Sequence, residues 1–421
     1  MNKEIKIAIL SMTNISFHNA TGSLLYRLFC NFKNENIIQI CKYRHQDEAA
    51  SQYNHVIPFY DFLEKQRASD NLFSKIPAAI LRRLLFFLRP FIGNKKEVLK
   101  RLQISKPDIL YLRVVGEPIY FLTMACFLKS KLGIPLVCHF MDDYDAQFEF
   151  ESKKNIIKKI KKNIYQNKLK KTINISSHNF AISSSMKTAF EKRYGVPFSI
   201  AHNGIEKGQI GFYKNHKKNR NKNIFQIVWA GSIDPAKDDN IIKKIAQSIE
   251  SINSKQSLEK KIELLLNVPG YNMATAKKIA AKYNSMRYQA YQPIEEYRKL
   301  LADAHLLLIA RNFDKRSKAY TQYSFHNKLP DFLASGTPIL SIGPAWDNTS
   351  RLFNKFDFGH NVGSDDPAAI TKALLNIFNR YPASAELAKT AQLKAADLFS
   401  MELIRKQFQQ KMLETAIFQN K

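Results

Sequence analysis

Short apolar runs alternate along the chain with longer stretches of helical periodicity. Runs over 5–11, 37–41, 109–114, 136–141 and 180–183 predict strands. Apolar positions three and four apart over 20–32, 77–91, 118–131 and 185–194 predict helices between them. This β-α-β-α rhythm belongs to a parallel sheet covered by helices on both faces. It restarts with a strand at 225–229, followed by strands at 262–267, 305–310 and 338–342. Helices are predicted at 240–252, 275–283, 294–302 and 327–334, and helical patterns fill 367–379 and 383–419. Two doubly wound, Rossmann-like α/β domains in series are the simplest reading. The turn signal His202-Asn203-Gly204-Ile205 and the polar, basic stretch 214–223 place the boundary near 205. The domains expected are therefore 1–205 and 206–421, with the terminal helices available to pack back on the first.

Composition changes the picture mainly through charge. With 421 residues and 45% apolar side chains the chain can bury a core without metal or disulfide staples. It carries 65 Lys and Arg against 36 Asp and Glu, a net charge of +29. Such a surplus points to a polyanionic partner: nucleic acid, an anionic membrane or phosphorylated ligands. Segment 65–106 holds 11 basic and 2 acidic residues, and 153–171 holds 9 Lys and no acid. Segment 76–93 mixes Arg with Leu and Phe, as interfacial helices do. Segment 153–171 spaces Ile156, Ile157, Ile160, Ile164 and Tyr165 as a basic amphipathic helix. Both are expected to meet an anionic membrane surface, a core helix with a solvated basic face being the alternative for 153–171. No nucleic-acid motif is present, so nucleic acid is not expected as a partner. Cys30, Cys41, Cys126 and Cys138 form no CxxC pair, which fits a reducing compartment better than a zinc or disulfide framework. No secretory leader pattern opens the sequence, and no apolar run reaches spanning length. A cytoplasmic protein, peripheral on the inner face of the cell membrane, is the expected location.

In open α/β sheets ligands bind beyond the carboxyl ends of strands, so candidate chemistry is sought there. After the first strand, Thr21-Gly22-Ser23 opens a helix; Gly22 allows close backbone approach and the helix N-terminus favours an anion. A plain helix cap is the other reading. Asp142-Asp143-Tyr144-Asp145 closes the strand at 136–141, with His139 inside it. Such a group suits taking a hydroxyl proton or holding a sugar; a solvated loop beside a core histidine is the alternative. Asp143 and Asp145 also spell DxD, a metal-binding pattern. In the second half Gly231-Ser232 follows a strand and Lys237 lies six residues on from Gly231, a phosphate grip or simply an exposed lysine. The stretch 324–338 contains Ser324, Asn327, Lys328 and Asp331, then Gly336-Thr337-Pro338 entering a strand. Lys328 and Asp331 share a helix face. One can offset phosphate charge while the other accepts ribose hydroxyls, unless they are a surface ion pair.

The run Asp331-Phe332-Leu333-Ala334-Ser335-Gly336-Thr337-Pro338 resembles the donor-site signature of GT-B glycosyltransferases, especially the family 4 type. That signature is an acidic residue on a short helix, then Ala, a small residue, Gly, any residue, and Pro. Other stretches resemble the family in the same order along the chain. They are His202-Asn203-Gly204-Ile205, Trp229-Ala230-Gly231-Ser232 with Lys237, and Ala302-Asp303-Ala304-His305-Leu306; Gln292 to Tyr297 lies where the family contacts the base. Departures are visible too. Ser232-Ile233 replaces the arginine often found after the first-strand glycine, and Tyr323 replaces the first member of the acidic pair. The family's N-terminal histidine has its nearest counterpart in His139, offset by two residues.

The resemblance implies a GT-B fold, with two domains facing a cleft. It implies transfer of a sugar from a UDP- or GDP-linked donor to a hydroxyl of a lipid-linked or glycan acceptor, with configuration retained, no metal and no other cofactor. Gly22, Gly231, Ser232, Lys237, Gln292, Ser324, Asn327, Lys328 and Asp331 would bind the donor. His139, Asp142 and Asp143 would be the catalytic group. A sugar-nucleotide epimerase shares this architecture, and a non-catalytic, basic membrane-binding scaffold is a further alternative.

Overall fold

A computed structural model describes residues 4–17, 19–59, 94–255 and 258–417. The predicted helix at 77–91 and the basic segment 76–93 lie outside the described residues. Two compact units divide the chain, one formed by Met1–His202 with Leu403–Lys421 and the other by Asn203–Glu402.

Among the described residues, the first unit is built on seven parallel strands: β1 (Ile7–Thr13), β2 (Ile37–Tyr43), β3 (Val56–Pro58), β4 (Ile109–Arg113), β5 (Leu136–Phe140), β6 (His178–Ala181) and β7 (Ser199–Ile200). Their order is β3-β2-β1-β4-β5-β6-β7. The direction of winding therefore reverses between β1 and β4, which opens a crevice at their carboxyl ends. The central strands read as continuous apolar runs because both faces are covered: β4 and β5 are buried at every position. Phe408, on the closing helix Met401–Ile417, packs edge-on against Phe29 and Tyr111 and at a tilt against Phe180, so the end of the chain completes this core.

The second unit has six parallel strands: β8 (Ile224–Ala230), β9 (Lys261–Val268), β10 (Met286–Ala290), β11 (Leu306–Ala310), β12 (Ile339–Ile342) and β13 (His360–Val362). They run β10-β9-β8-β11-β12-β13, with the switch between β8 and β11. Helix Asp239–Lys255 shows how the pattern becomes packing. Ile241, Ile242, Ile245, Ile249 and Ile252 form one buried stripe. They join Trp229 and Ile227 of β8 in a single core cluster.

Three sequence expectations change. The helical pattern at 383–419 is two helices, Tyr381–Leu398 and Met401–Ile417, interrupted at Phe399-Ser400, where Ile205 pairs with Ser400. The basic segment 153–171 is helical from Ile156 to Ile175, yet its charge is not left to repel itself. Lys158 pairs with Glu151, Lys162 with Glu149 at 3.0 Å and Lys161 with Glu117 at 2.9 Å. Its apolar stripe also divides: Tyr165, Leu169 and Ile173 are buried while Ile156 and Ile160 are 67% and 37% exposed. Among the described residues no helix is long and apolar enough to cross a membrane.

Candidate functional site

In the first unit the acidic group at the end of β5 separates into residues with different roles. His139 is wholly buried, beside Arg113 of β4 and Phe180 of β6 in the sheet. Its Nε2 lies 2.9 Å from the Ala201 carbonyl, which can only accept. Nε2 therefore carries the proton, and Nδ1 accepts from the Tyr111 hydroxyl at 2.5 Å. Burial, aided by Arg113, lowers its pKa to about 3, although the Ala201 contact pulls the other way. His139 is thus a neutral core histidine with both nitrogens used, and its expected place among catalytic groups is withdrawn.

Asp143 is likewise occupied. Its side chain is 5% exposed, and both oxygens accept from Arg193 at 2.8 Å, a bidentate pair. Oδ1 also accepts from the Ala146 N–H at 3.1 Å, capping helix Tyr144–Ser152. Asp145 accepts from Gln166 at 2.6 Å and lies 3.5 Å from Arg193. The two DxD carboxylates therefore grip an arginine from helix Ser184–Tyr194, and the expected catalytic role of Asp143 gives way to a structural one.

Asp142 differs. Its side chain is 24% exposed. Oδ2 accepts from Arg113 at 3.1 Å and from the Tyr144 hydroxyl at 3.1 Å, and Arg113 also donates to Tyr144 at 2.7 Å. Burial pushes the Tyr144 phenol up to about 12 against the pull of Arg113, so it stays a proton donor. A carboxylate fixed this way at the end of a central strand can accept a hydroxyl hydrogen without reorganising. Nothing in the sequence joined Arg113 and Tyr144 to Asp142; the parallel pairing of β4 with β5 does.

Gly22 meets its own loop. A Cβ there would fall 2.6 Å from the Ser16 carbonyl and 2.9 Å from that of Asn14. Gly22 lies inside helix Ala20–Phe29, capped by Asn19. The close approach it permits is that of protein backbone, which removes the reason for expecting a donor contact.

In the second unit the residues expected to bind the donor collect at the carboxyl ends of β8, β11 and the segments beside them. Gly231 and Ser232 directly follow β8. Lys237 and Arg311 are held as neighbours, because Asn312 N–H donates to the Lys237 carbonyl at 2.6 Å while Arg311 Nη1 donates to Asp238 at 3.1 Å. Burial raises the Asp238 carboxyl to about 7, with Arg311 pulling it down. His326 is held well below its usual pKa by burial and by the charges of Arg311 and Lys328. Lys328 stands just before helix Leu329–Ser335, with its ammonium 4.6 Å from the Tyr297 ring centre and 5.2 Å from that of Tyr291. Asp331 is buried and accepts from Gln209 at 3.0 Å. Asn327 presents its carbonyl to Asn203 at 2.7 Å, and the Ser324 hydroxyl donates to the Tyr320 carbonyl at 3.1 Å. Gly336 ends the helix with φ +62, where a side chain would be strained and would meet Gln392 at 3.0 Å. Exposed Gln292 directly follows Tyr291, and Tyr271, Tyr288 and Tyr291 are each exposed. The sequence reading missed Arg311, Asp238, His326 and these tyrosines. The signal for Arg311 was its place immediately after a strand at the switch point.

Residues 56–208 match the profile of Glycosyltransferase Family 4. No curated protein sequence matches the chain significantly. Among solved structures, HepE of Anabaena in complex with UDP-glucose is 14% identical with a TM-score of 0.63, covering 97% of this chain and 99% of its own. WaaG, a glycosyltransferase involved in lipopolysaccharide biosynthesis, is 13% identical with a TM-score of 0.61, covering 96% and 98%. Sucrose-phosphate synthase of Thermosynechococcus elongatus is 12% identical with a TM-score of 0.66, covering 97% and 98%. These likenesses extend over nearly the whole of each chain and identify the fold as GT-B. The chain therefore has the GT-B fold, and its residues 56–208 are similar to Glycosyltransferase Family 4.

Proposed function

We propose that this glycosyltransferase moves a sugar from a UDP- or GDP-linked donor to a hydroxyl of a lipid-linked or glycan acceptor, in cell-surface polysaccharide assembly. The observation that carries the reading is the gathering of Lys237, Arg311, His326 and Lys328 at the switch point of the second sheet, beside exposed tyrosines. Cations there can offset the charge that develops on a leaving diphosphate, and flat rings can stack on a base. The donor is assigned to the second unit. The acceptor is assigned to the first, where Asp142, steadied by Arg113 and Tyr144, orients its hydroxyl. Retention of configuration and independence of metal complete the proposal. The engagement of Asp143 and Asp145 with Arg193 supports the latter, and activity abolished by EDTA and restored by Mn²⁺ would contradict it.

The test is calorimetry of the full chain with UDP and GDP, alongside a panel of sugar nucleotides followed by diphosphate release. We expect one of the two diphosphates to bind and Lys328→Ala to weaken it about tenfold, the scale of one charge-assisted contact. A wild type that binds neither refutes the donor assignment.

The enzyme is placed at the inner face of the cell membrane, held to anionic lipid by the start of helix Ile156–Ile175. Ile156 and Ile160 are exposed there, as are Lys153 and Lys159. Lipid attraction is worth ~1 kcal/mol per basic residue near the surface. Replacing Lys153 and Lys159 by Glu together with Ile156→Asp should cut sedimentation with anionic liposomes at low salt at least about tenfold. Undiminished binding by that variant assigns membrane contact elsewhere.

A further inference from the structure

We propose that the second unit binds a soluble phosphate-bearing anion at the amino ends of its strands, through Lys218, Arg220 and Lys260. This end of the sheet is separate from the carboxyl ends, to which the donor is assigned. β8 alone, seven residues at about 3.3 Å each, puts roughly 20 Å between the two. The site grows out of the basic stretch 214–223, which the donor reading leaves without a role. That stretch is pinned against the sheet. His216 Nε2 lies 2.8 Å from Asp303 Oδ1, which also accepts from the Asn219 N–H at 2.8 Å. Arg220 Nη2 donates to the Ala304 carbonyl at 2.9 Å, and its guanidinium lies 5.4 Å from the Tyr381 ring centre. Lys260 is brought alongside by the sheet register: Lys261 N–H donates to the Asn223 carbonyl at 3.1 Å, where β9 begins to pair with β8.

The carboxylates nearby do not neutralise these charges. Asp303 is committed to His216 and to the Asn219 N–H, and Glu386 is paired with Lys389 at 3.0 Å. Exposed Glu259 precedes Lys260 in the chain but pairs with none of the three cations among the described residues. The repulsion is felt within the group. Crowding by protein lowers the Lys218 pKa, and the charges of Arg220 and Lys389 lower it further against the pull of Asp303. His305, whose ring lies 5.6 Å from that of Tyr381, is lowered to about 4 by burial and then by Arg220, Lys260 and Lys218. All three cations thus act on one imidazole. A guanidinium fork with two ammonium groups suits phosphate, the fork matching its oxygens and the lysines serving as point charges. Stretch 214–223 carries no apolar side chain, and no large one is exposed at 258–261 or 303–305. The surface therefore lacks what insertion into lipid requires, and a soluble anion fits it better than a membrane.

The experiment is a titration of the full chain with inorganic phosphate at pH 7.5, followed residue by residue by NMR. Sodium chloride at equal ionic strength is the control. Phosphate should shift the amides of 218–222 and the His305 ring saturably, with a dissociation constant of about 1 mM or below. Chloride should give only a small, unsaturable drift. Lys218→Gln with Lys260→Gln should weaken phosphate about tenfold or more at these resonances. If that pair does not fold, Lys218→Gln alone, on an exposed side chain, should weaken it at least about threefold. Shifts confined to the carboxyl ends of the strands, equal shifts with chloride, or unchanged affinity in the variants would overturn the site. Phosphatidylglycerol and phosphatidylcholine vesicles form the second arm. Sedimentation with phosphatidylglycerol that the lysine variants abolish, without a saturable response to inorganic phosphate, would overturn the soluble anion in favour of a lipid headgroup.

Discussion

Between pH 7.5 and pH 5 the first unit will lose stability, and His139 will account for a large part of the loss. In the folded protein this histidine is neutral, with a pKa near 3 against 6.5 when exposed. The unfolded chain therefore binds a proton below pH 6.5 that the folded chain refuses. A depressed folded pKa contributes stability that is complete above 6.5 and disappears as pH falls from there toward 3. At pH 5 that is about 2 kcal/mol for one such group, at roughly 1.4 kcal/mol per pH unit. His178, lowered by burial to about 4, adds a smaller loss in the same direction. In the second unit Asp238 acts oppositely. Its pKa is raised to about 7, so its contribution is greatest at low pH and declines as pH rises through 7. The acid loss should therefore be clearest in the first unit. Thermal melts monitored by hydrogen exchange at pH 7.5 and 5 measure it. His139→Gln should be less stable at pH 7.5 but much flatter with pH. Equal wild-type stability of the first unit at both values would show that His139 is not neutral and enclosed.

The second large effect separates two adjacent carboxylates. Asp143→Ala removes both acceptors of Arg193 and the cap of helix Tyr144–Ser152. We expect a loss of about 2–3 kcal/mol, combining a cap of about 1 kcal/mol with a mostly buried pair. Arg193 keeps some solvent and can turn toward Asp145, which holds the cost below that of a fully buried pair. Asp142→Asn is nearly isosteric and leaves the neighbouring helix capped. Its melting temperature should move by no more than about 2 °C, while turnover falls about 100-fold or more, the usual scale for a positioned acid–base group. Denaturant titrations paired with steady-state assays on the best donor give both numbers. The reverse pattern, with Asp143→Ala stable but inactive, would return the catalytic role to Asp143.

The sequence by itself determined the two sheets, most firmly at their centres. β1, β4, β5, β8, β9, β11 and β12 coincide with the predicted apolar runs to within a few residues. Strands covered on both faces must be continuously apolar, so they announce themselves. The four strands it missed, β3, β7, β10 and β13, are the four edges. They are short or partly exposed and carry Pro58, Ser199, Arg287 or His360, residues a one-sided strand tolerates. The break between the last two helices was equally silent, because both flanks keep helical spacing and only the pairing of Ser400 with Ile205 interrupts them.

At the sites, the sequence located the strand ends where chemistry belongs, since a doubly wound topology dictates that. It could not assign roles among neighbours there. Asp142 and Asp143 are adjacent and of one type, and His139 stands in the strand just before them. What separates them is contact over long sequence distances: Arg113 lies 29 residues from Asp142, Arg193 lies 50 from Asp143, and the Ala201 carbonyl lies 62 from His139. Arg311 meets Asp238 across 73 residues. An ionisable side chain takes its function from the partner that fixes or neutralises it, and strand pairing and helix docking choose that partner only once the chain has folded.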